Sequence, residues 1–195
     1  MKRKFSTHKM TSPVPAMNTL DFDVFNELEL KSSDDGKKRI VSKDEVKFVT
    51  EAFPVCFDVG TFKKKDTPWH NMELNASDSK IAEEFGKRFD SKMLDYLTEN
   101  SKDIFKKKFP KKRIQEKIYK SAVASKEKVR EDGTIIYSSK NFRVKVKDST
   151  TVRVMVSASK YNQVGTVGDI DIHSGDIVRA NVKFSSLYII NNNSC

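Results

Sequence analysis

In the last third of the chain cations recur at every second position: Arg143, Lys145 and Lys147, then Arg153, then Arg179 and, two steps on, Lys183. Side chains two apart on a β-strand share a face. Over 142–147 this rule puts Phe142, Val144 and Val146 on one side and the three cations on the other. Over 152–156, Val152, Val154 and Val156 oppose Arg153 and Met155, and over 178–184 the apolar set Val178, Ala180, Val182 and Phe184 opposes Arg179, Asn181 and Lys183. If the three strands are neighbours, six cations gather on one face with no acid among them. Like charges facing each other across a sheet repel, so an anionic partner would relieve such a face. A sheet that offers Lys and Arg to phosphates and rings to bases is how barrel-type modules hold single-stranded nucleic acid. The candidate rings are Trp69, Phe62, Tyr137 and Tyr161, and the loop cations Lys63, Lys64 and Lys65 lie beside Trp69 in sequence. Six phosphate contacts would make log affinity fall against log salt with a slope of roughly −4. The competing reading is an ordinary solvated sheet face whose cations protect edges from aggregation.

Other chemistry finds little support. His8 lies near the amino terminus, His70 stands alone, and Asp169, Asp171 and His173 share a strand face. That spacing suits a metal, but the solvated side of an edge strand leading into the Ser174–Gly175–Asp176 turn explains it more simply. There is no phosphate-binding P-loop, dinucleotide fingerprint or GxSxG elbow. Cys56, between Val55 and Phe57, reads as an interior filler, and Phe48, Phe53 and Phe57 read as packing residues. With Cys195 as the other cysteine, neither a disulfide framework nor a zinc site is expected, and a reducing compartment fits. We therefore expect no enzyme, no cofactor and no metal.

The elements that must position these residues follow from periodicity. The 195 residues carry 37 Lys and Arg against 27 Asp and Glu, a net charge of +10 with a pI near 9.5, which favours polyanionic partners. No apolar run resembles a leader or a membrane span, so no membrane association is expected. Residues 1–36 read as a flexible arm and lead-in. From Ile40 the pattern is β-like, with Pro54 as an interruption and Gly60 as an end. Ile81, Phe85, Phe89, Met93 and Leu97, with Leu94 widening the stripe, predict a helix from about Ser79 to Glu99, capped by Ser77 or Ser79. Two shorter helical pieces follow, the second starting at Pro110, so that a helical insertion spans about 78–120 within a domain of 37–195. Between Lys102 and Arg130 there are 12 Lys or Arg against three acids, a net of +9. The run Lys106–Lys107–Lys108 with Lys111, Lys112 and Arg113 reads as a solvated helix face, a localisation signal or a nucleic-acid contact. After the Asp132–Gly133 turn the strands return.

The stretches Ser139–Val146, Gly175–Ala180 and Leu187–Ile190 resemble the OB-fold single-stranded DNA-binding proteins of large nucleocytoplasmic DNA viruses. Ala52–Val55, Phe57–Gly60 and the helix from Phe85 to Leu97 occupy the places where that family has a strand, a basic loop and an inserted helix. The match covers about residues 37 to 190. The resemblance implies an α+β fold with an OB-like antiparallel β-barrel, and a viral replication or repair protein that coats unwound DNA at the intracellular site of viral DNA synthesis. It also implies self-association along DNA and replication proteins as partners. Such proteins continue past the Tyr188 strand into a further strand, whereas this sequence stops at Cys195, which raises the expectation of a fragment. An RNA-binding module and a virion or replication-complex scaffold remain the alternatives.

Overall fold

The computed structural model describes residues 13–32, 37–59, 68–125, 127–137, 140–157 and 160–189. Phe62, Lys63, Lys64 and Lys65 lie outside them, as do the side chains of Tyr137 and Tyr161. The lead-in departs from the sequence expectation. From residue 13 it is part of the core, with two 3-10 turns at Met17–Thr19 and Phe22–Phe25 burying Met17, Leu20, Phe22 and Phe25. Those four apolar positions follow neither a helical nor a strand period, so no pattern announces them. Phe25 makes edge contacts with Phe89 (5.2 Å between ring centroids) and Phe184 (5.5 Å).

Next come β1 (Leu28–Ser32), β2 (Lys38–Ser42), β3 (Val46–Val49), β4 (Phe53–Pro54) and β5 (Trp69–Asn75). The helices α1 (Lys80–Glu99), α2 (Ser101–Phe105) and α3 (Lys111–Lys117) fill the predicted insertion. Ser79 is the cap of α1. Its Oγ accepts from Ala82 N–H at 2.9 Å, satisfying one of the orphan donors of the first turn. On the predicted stripe Phe85, Met93, Leu94 and Leu97 are buried, while Ile81 and Phe89 pack half-buried beside them. Each buried side chain of this kind stabilises the fold by about 1.5–3 kcal/mol.

The chain continues through β6 (Val123–Ala124), β7 (Glu127–Val129), β8 (Ile135–Tyr137), β9 (Asn141–Lys147), β10 (Thr151–Ser157), β11 (Lys160–Thr166), β12 (Ile177–Val178), β13 (Asn181–Phe184) and β14 (Leu187–Ile189). The result is an α+β fold of small antiparallel sheets: β1–β2–β14, β13–β3, β12–β4, β5–β9–β6, β10–β11 and β7–β8. A Val55–Leu74 bridge joins the β4 segment to β5, and the bent β13–β14 segment pairs first with β3 and then with β2. Among the described residues these sheets do not close into a barrel. No described helix is long and apolar enough to cross a membrane.

Candidate nucleic-acid interface

The alternation expected over 142–147 is present: Phe142 and Val144 are buried and Val146 half-buried, while Arg143, Lys145 and Lys147 are exposed. On β13, Val182 and Phe184 are half-buried and Asn181 and Lys183 exposed. β5 explains how the cations of β9 are held. Its outward side chains Trp69, Asn71 and Glu73 stand opposite Lys147, Lys145 and Arg143 in the antiparallel register. The Lys147 ammonium sits 4.7 Å from the Trp69 ring centre, a cation–π contact.

β6 pairs with β9 only at Phe142 and Asn141, so from Arg143 onward that edge of β9 has no strand beside it among the described residues. β13 likewise pairs with β3 alone. The two open edges border one groove of about 810 Å³. Phe48, Phe85 and Phe142 form its floor, with Phe48 and Phe85 ring centres 4.8 Å apart. Arg143 and Lys145 line one wall, Asn181 and Lys183 the other. Two exposed rings also border it, Trp69 at 44% and Tyr188 at 58% exposure. No carboxylate lines it among the described residues.

Tyr188, an exposed ring in the groove lining, is not among the candidate rings read from the sequence. It pairs in register with Arg39, and its phenol is held below the ordinary range by a hydrogen bond with Ser186, then by Arg39 and Lys145. The β14–β2 pairing sets Arg39 beside Tyr188, but Arg39 does not itself line the groove. The stretch Leu187–Ile190 of the family resemblance, which contains Tyr188, was the one available signal.

Two cations are already partnered. Arg143 is bonded to Glu73, and Lys183 reaches Glu45 at 2.5 Å. Glu45 also binds Lys47, and these hydrogen bonds hold its carboxyl at about 2 against an ordinary 4.5. Lys145 has no carboxylate within ion-pair distance among the described residues.

Other expectations need correction. Arg153 lies on the β10–β11 hairpin, which pairs with no other described strand, and Arg179 lies between β12 and β13; neither borders the groove. Val154 and Val156, assigned to the core, are exposed. A two-stranded ribbon with register shifts at Val152/Arg153 and Met155/Ser157 has no second layer to bury them. Phe57 is also exposed and Cys56 half-buried, because the chain bends after the Val55 bridge and the alternation ends there. The Cys56 thiol donates to Asn141 Oδ1 at 3.5 Å, and burial raises its pKa. Asp169 accepts from Thr166 Oγ1 and His173 lies 3.7 Å from Asp58, so this set does not converge; no metal-holding group occurs among the described residues. Tyr137 and Tyr161 are on β8 and β11.

Comparison with models of known families, with curated proteins and with solved structures gives no match. What the groove can do must be read from its own chemistry: apolar and aromatic at the bottom, cationic at the walls, with a ring exposed on each side.

Proposed function

We propose that this protein binds single-stranded nucleic acid, DNA in the first instance, in the groove between β9 and β13, with little sequence preference and without catalysing a reaction. One observation carries the reading: a strand-sized groove bordered by Lys145, Arg143 and Lys183 and by the exposed rings of Trp69 and Tyr188, with no acid in its lining among the described residues. Phosphates would follow the cations while bases stack on the rings, an arrangement tolerant of sequence because every base has a π-face. Every hydrogen-bonding side chain at the walls would then serve the backbone or whichever base is present. We further read the strand path as an open OB-like arrangement with α1–α3 inserted. Its support is the bent β13–β14 segment shared between β3 and β2, and the β4–β5–β9 succession. A role in viral DNA replication or repair, and an intracellular site for it, rest on the family resemblance.

Fluorescence anisotropy with labelled oligothymidylate, oligodeoxyadenylate, RNA and duplex tests this. Single strands of either base composition should bind alike and duplex much more weakly. Lys145→Glu should weaken binding to all single strands by about tenfold. Trp69→Ala and Tyr188→Ala should each cost about 1–3 kcal/mol of stacking. Preference for duplex, or unchanged binding in all three variants, sinks the proposal; preference for RNA moves the substrate class to a reader of the 2′-hydroxyl.

A further inference from the structure

Exposed apolar side chains concentrate on one element. Val154, Met155 and Val156 of β10 are 51%, 62% and 56% exposed, and β10 pairs only with β11 among the described residues. The ribbon therefore presents two open edges, and they differ in chemistry. β11 carries Lys160, Asn162 and Gln163 around its exposed Val164, whereas β10 reads Thr151–Val152–Arg153–Val154–Met155–Val156–Ser157. No Asp or Glu occurs from 151 to 166. The open edge of β9 is charged at alternate positions, with Arg143, Lys145 and Lys147, which discourages pairing with a further strand. β10 has Arg153 alone among its valines, so its free N–H and C=O groups are a ready template for another strand.

The sequence of β10 itself specifies what fits that edge. Counted outward from Val154, the strand reads alike in both directions: a long unbranched side chain (Arg153, Met155), then a valine (Val152, Val156), then a hydroxyl (Thr151, Ser157). An antiparallel strand of the same sequence, centred on Val154, sets valine opposite valine and hydroxyl opposite hydroxyl, pairs that stabilise a sheet. Each Arg153 then stands opposite the partner's Met155, so no two guanidinium groups face each other across the seam. The register shifts of the ribbon fall between Val152 and Arg153 and between Met155 and Ser157, so the central run Arg153–Val154–Met155 is regular. A contact of this kind is its own complement and closes at two copies.

We propose that β10 is a self-association edge: two copies pair antiparallel through β10 about a two-fold axis at Val154, giving a four-stranded ribbon β11–β10–β10–β11. The contact does not use the groove between β9 and β13, so it is independent of the nucleic-acid reading. With an edge of seven residues, the buried surface falls below that of a standard interface and the dimer is weak.

Sedimentation of the full chain without nucleic acid tests this, over about 5 µM to about 500 µM, the regime of interfaces below standard size. The weight-average mass should rise with concentration from 22.3 kDa toward twice that value and stop there. Val154→Lys sets two ammonium groups against each other on the axis and should weaken the dimer by about tenfold or more. Met155→Glu gives each Arg153 a carboxylate across the seam and should tighten the dimer about fivefold at low salt, an advantage that high salt removes. Weakening by Met155→Glu as well as by Val154→Lys overturns the two-fold register in favour of an apolar contact without fixed pairing. An unchanged dimer in Val154→Lys overturns β10 as the contact. A wild-type protein that stays at 22.3 kDa throughout, or that grows beyond two copies, overturns the closed self-pairing; in the first case the edge is left to a strand of another protein.

Discussion

Glu45 shows how single carboxylates tune a cationic surface. It holds Lys183 of the groove wall and Lys47 beside it, and both hydrogen bonds favour its ionised form, lowering its pKa from 4.5 to about 2. A depressed folded pKa stabilises the fold fully above the unfolded value near 4.5 and loses that contribution as pH falls toward 2. The melting-temperature gap between wild type and Glu45→Gln should therefore be constant above about pH 5.5 and shrink on acidification. An equal gap at pH 3 and pH 7 would refute the assignment. The same variant should bind single strands a few-fold more tightly at neutral pH, since Lys183 is no longer shared and a repelling charge is gone. Sequence reading identified Lys183 as exposed and basic. It had no means of finding Glu45, 138 positions away.

At the scale of elements, the groove exists because β6 stops short. Its two residues cover the start of β9 and leave Arg143 onward open. β6 is held in place by Asp90 of α1, which accepts from Tyr119 Oη at 2.8 Å, from Ala122 N–H at 3.0 Å and from Ser121 Oγ. Burial, with Asp90 beside it, pushes the Tyr119 phenol well up. Gly86 completes the fit: a Cβ there would meet Val123 Cβ and Cγ2 at 3.0 Å. Alanine in place of a helical glycine ordinarily stabilises by about 1 kcal/mol. Here, with Val123 pinned between Asp90 and β9, Gly86→Ala should destabilise by about 1–2 kcal/mol in urea unfolding, and Val123→Ala should recover part of that in the double variant. A Gly86→Ala protein at least as stable as wild type would show that β6 can yield. The helix itself was legible, cap and stripe included, because a 3.6-residue period is a local property. The buried lead-in was not, because Met17, Leu20, Phe22 and Phe25 owe their burial to α1 and β13, not to any rhythm of their own.

For the whole molecule, the electrostatic expectation changes with the geometry. Of the six strand cations expected on one face, Arg143, Lys145 and Lys183 line the groove, while Lys147, Arg153 and Arg179 do not. The three that line it give three contacts, a salt slope of about −2 for a strand confined to it. Titrating anisotropy against potassium chloride measures it, and a slope near zero would remove phosphate neutralisation as the driving term. The β10–β11 hairpin explains why the expected alternation gave no core: register shifts interrupt it on either side of Val154, and Val154 and Val156 are both exposed. By itself, the sequence determined which side chains of β9, β13 and α1 share a face, since backbone geometry fixes that within a few residues. Only the tertiary structure decided which strand edges stay unpaired, that Tyr188 meets Arg39 and lies in the field of Lys145, and which cations Glu45 and Glu73 neutralise. Those outcomes depend on packing between segments far apart in the chain, and no local pattern encodes a partner's address.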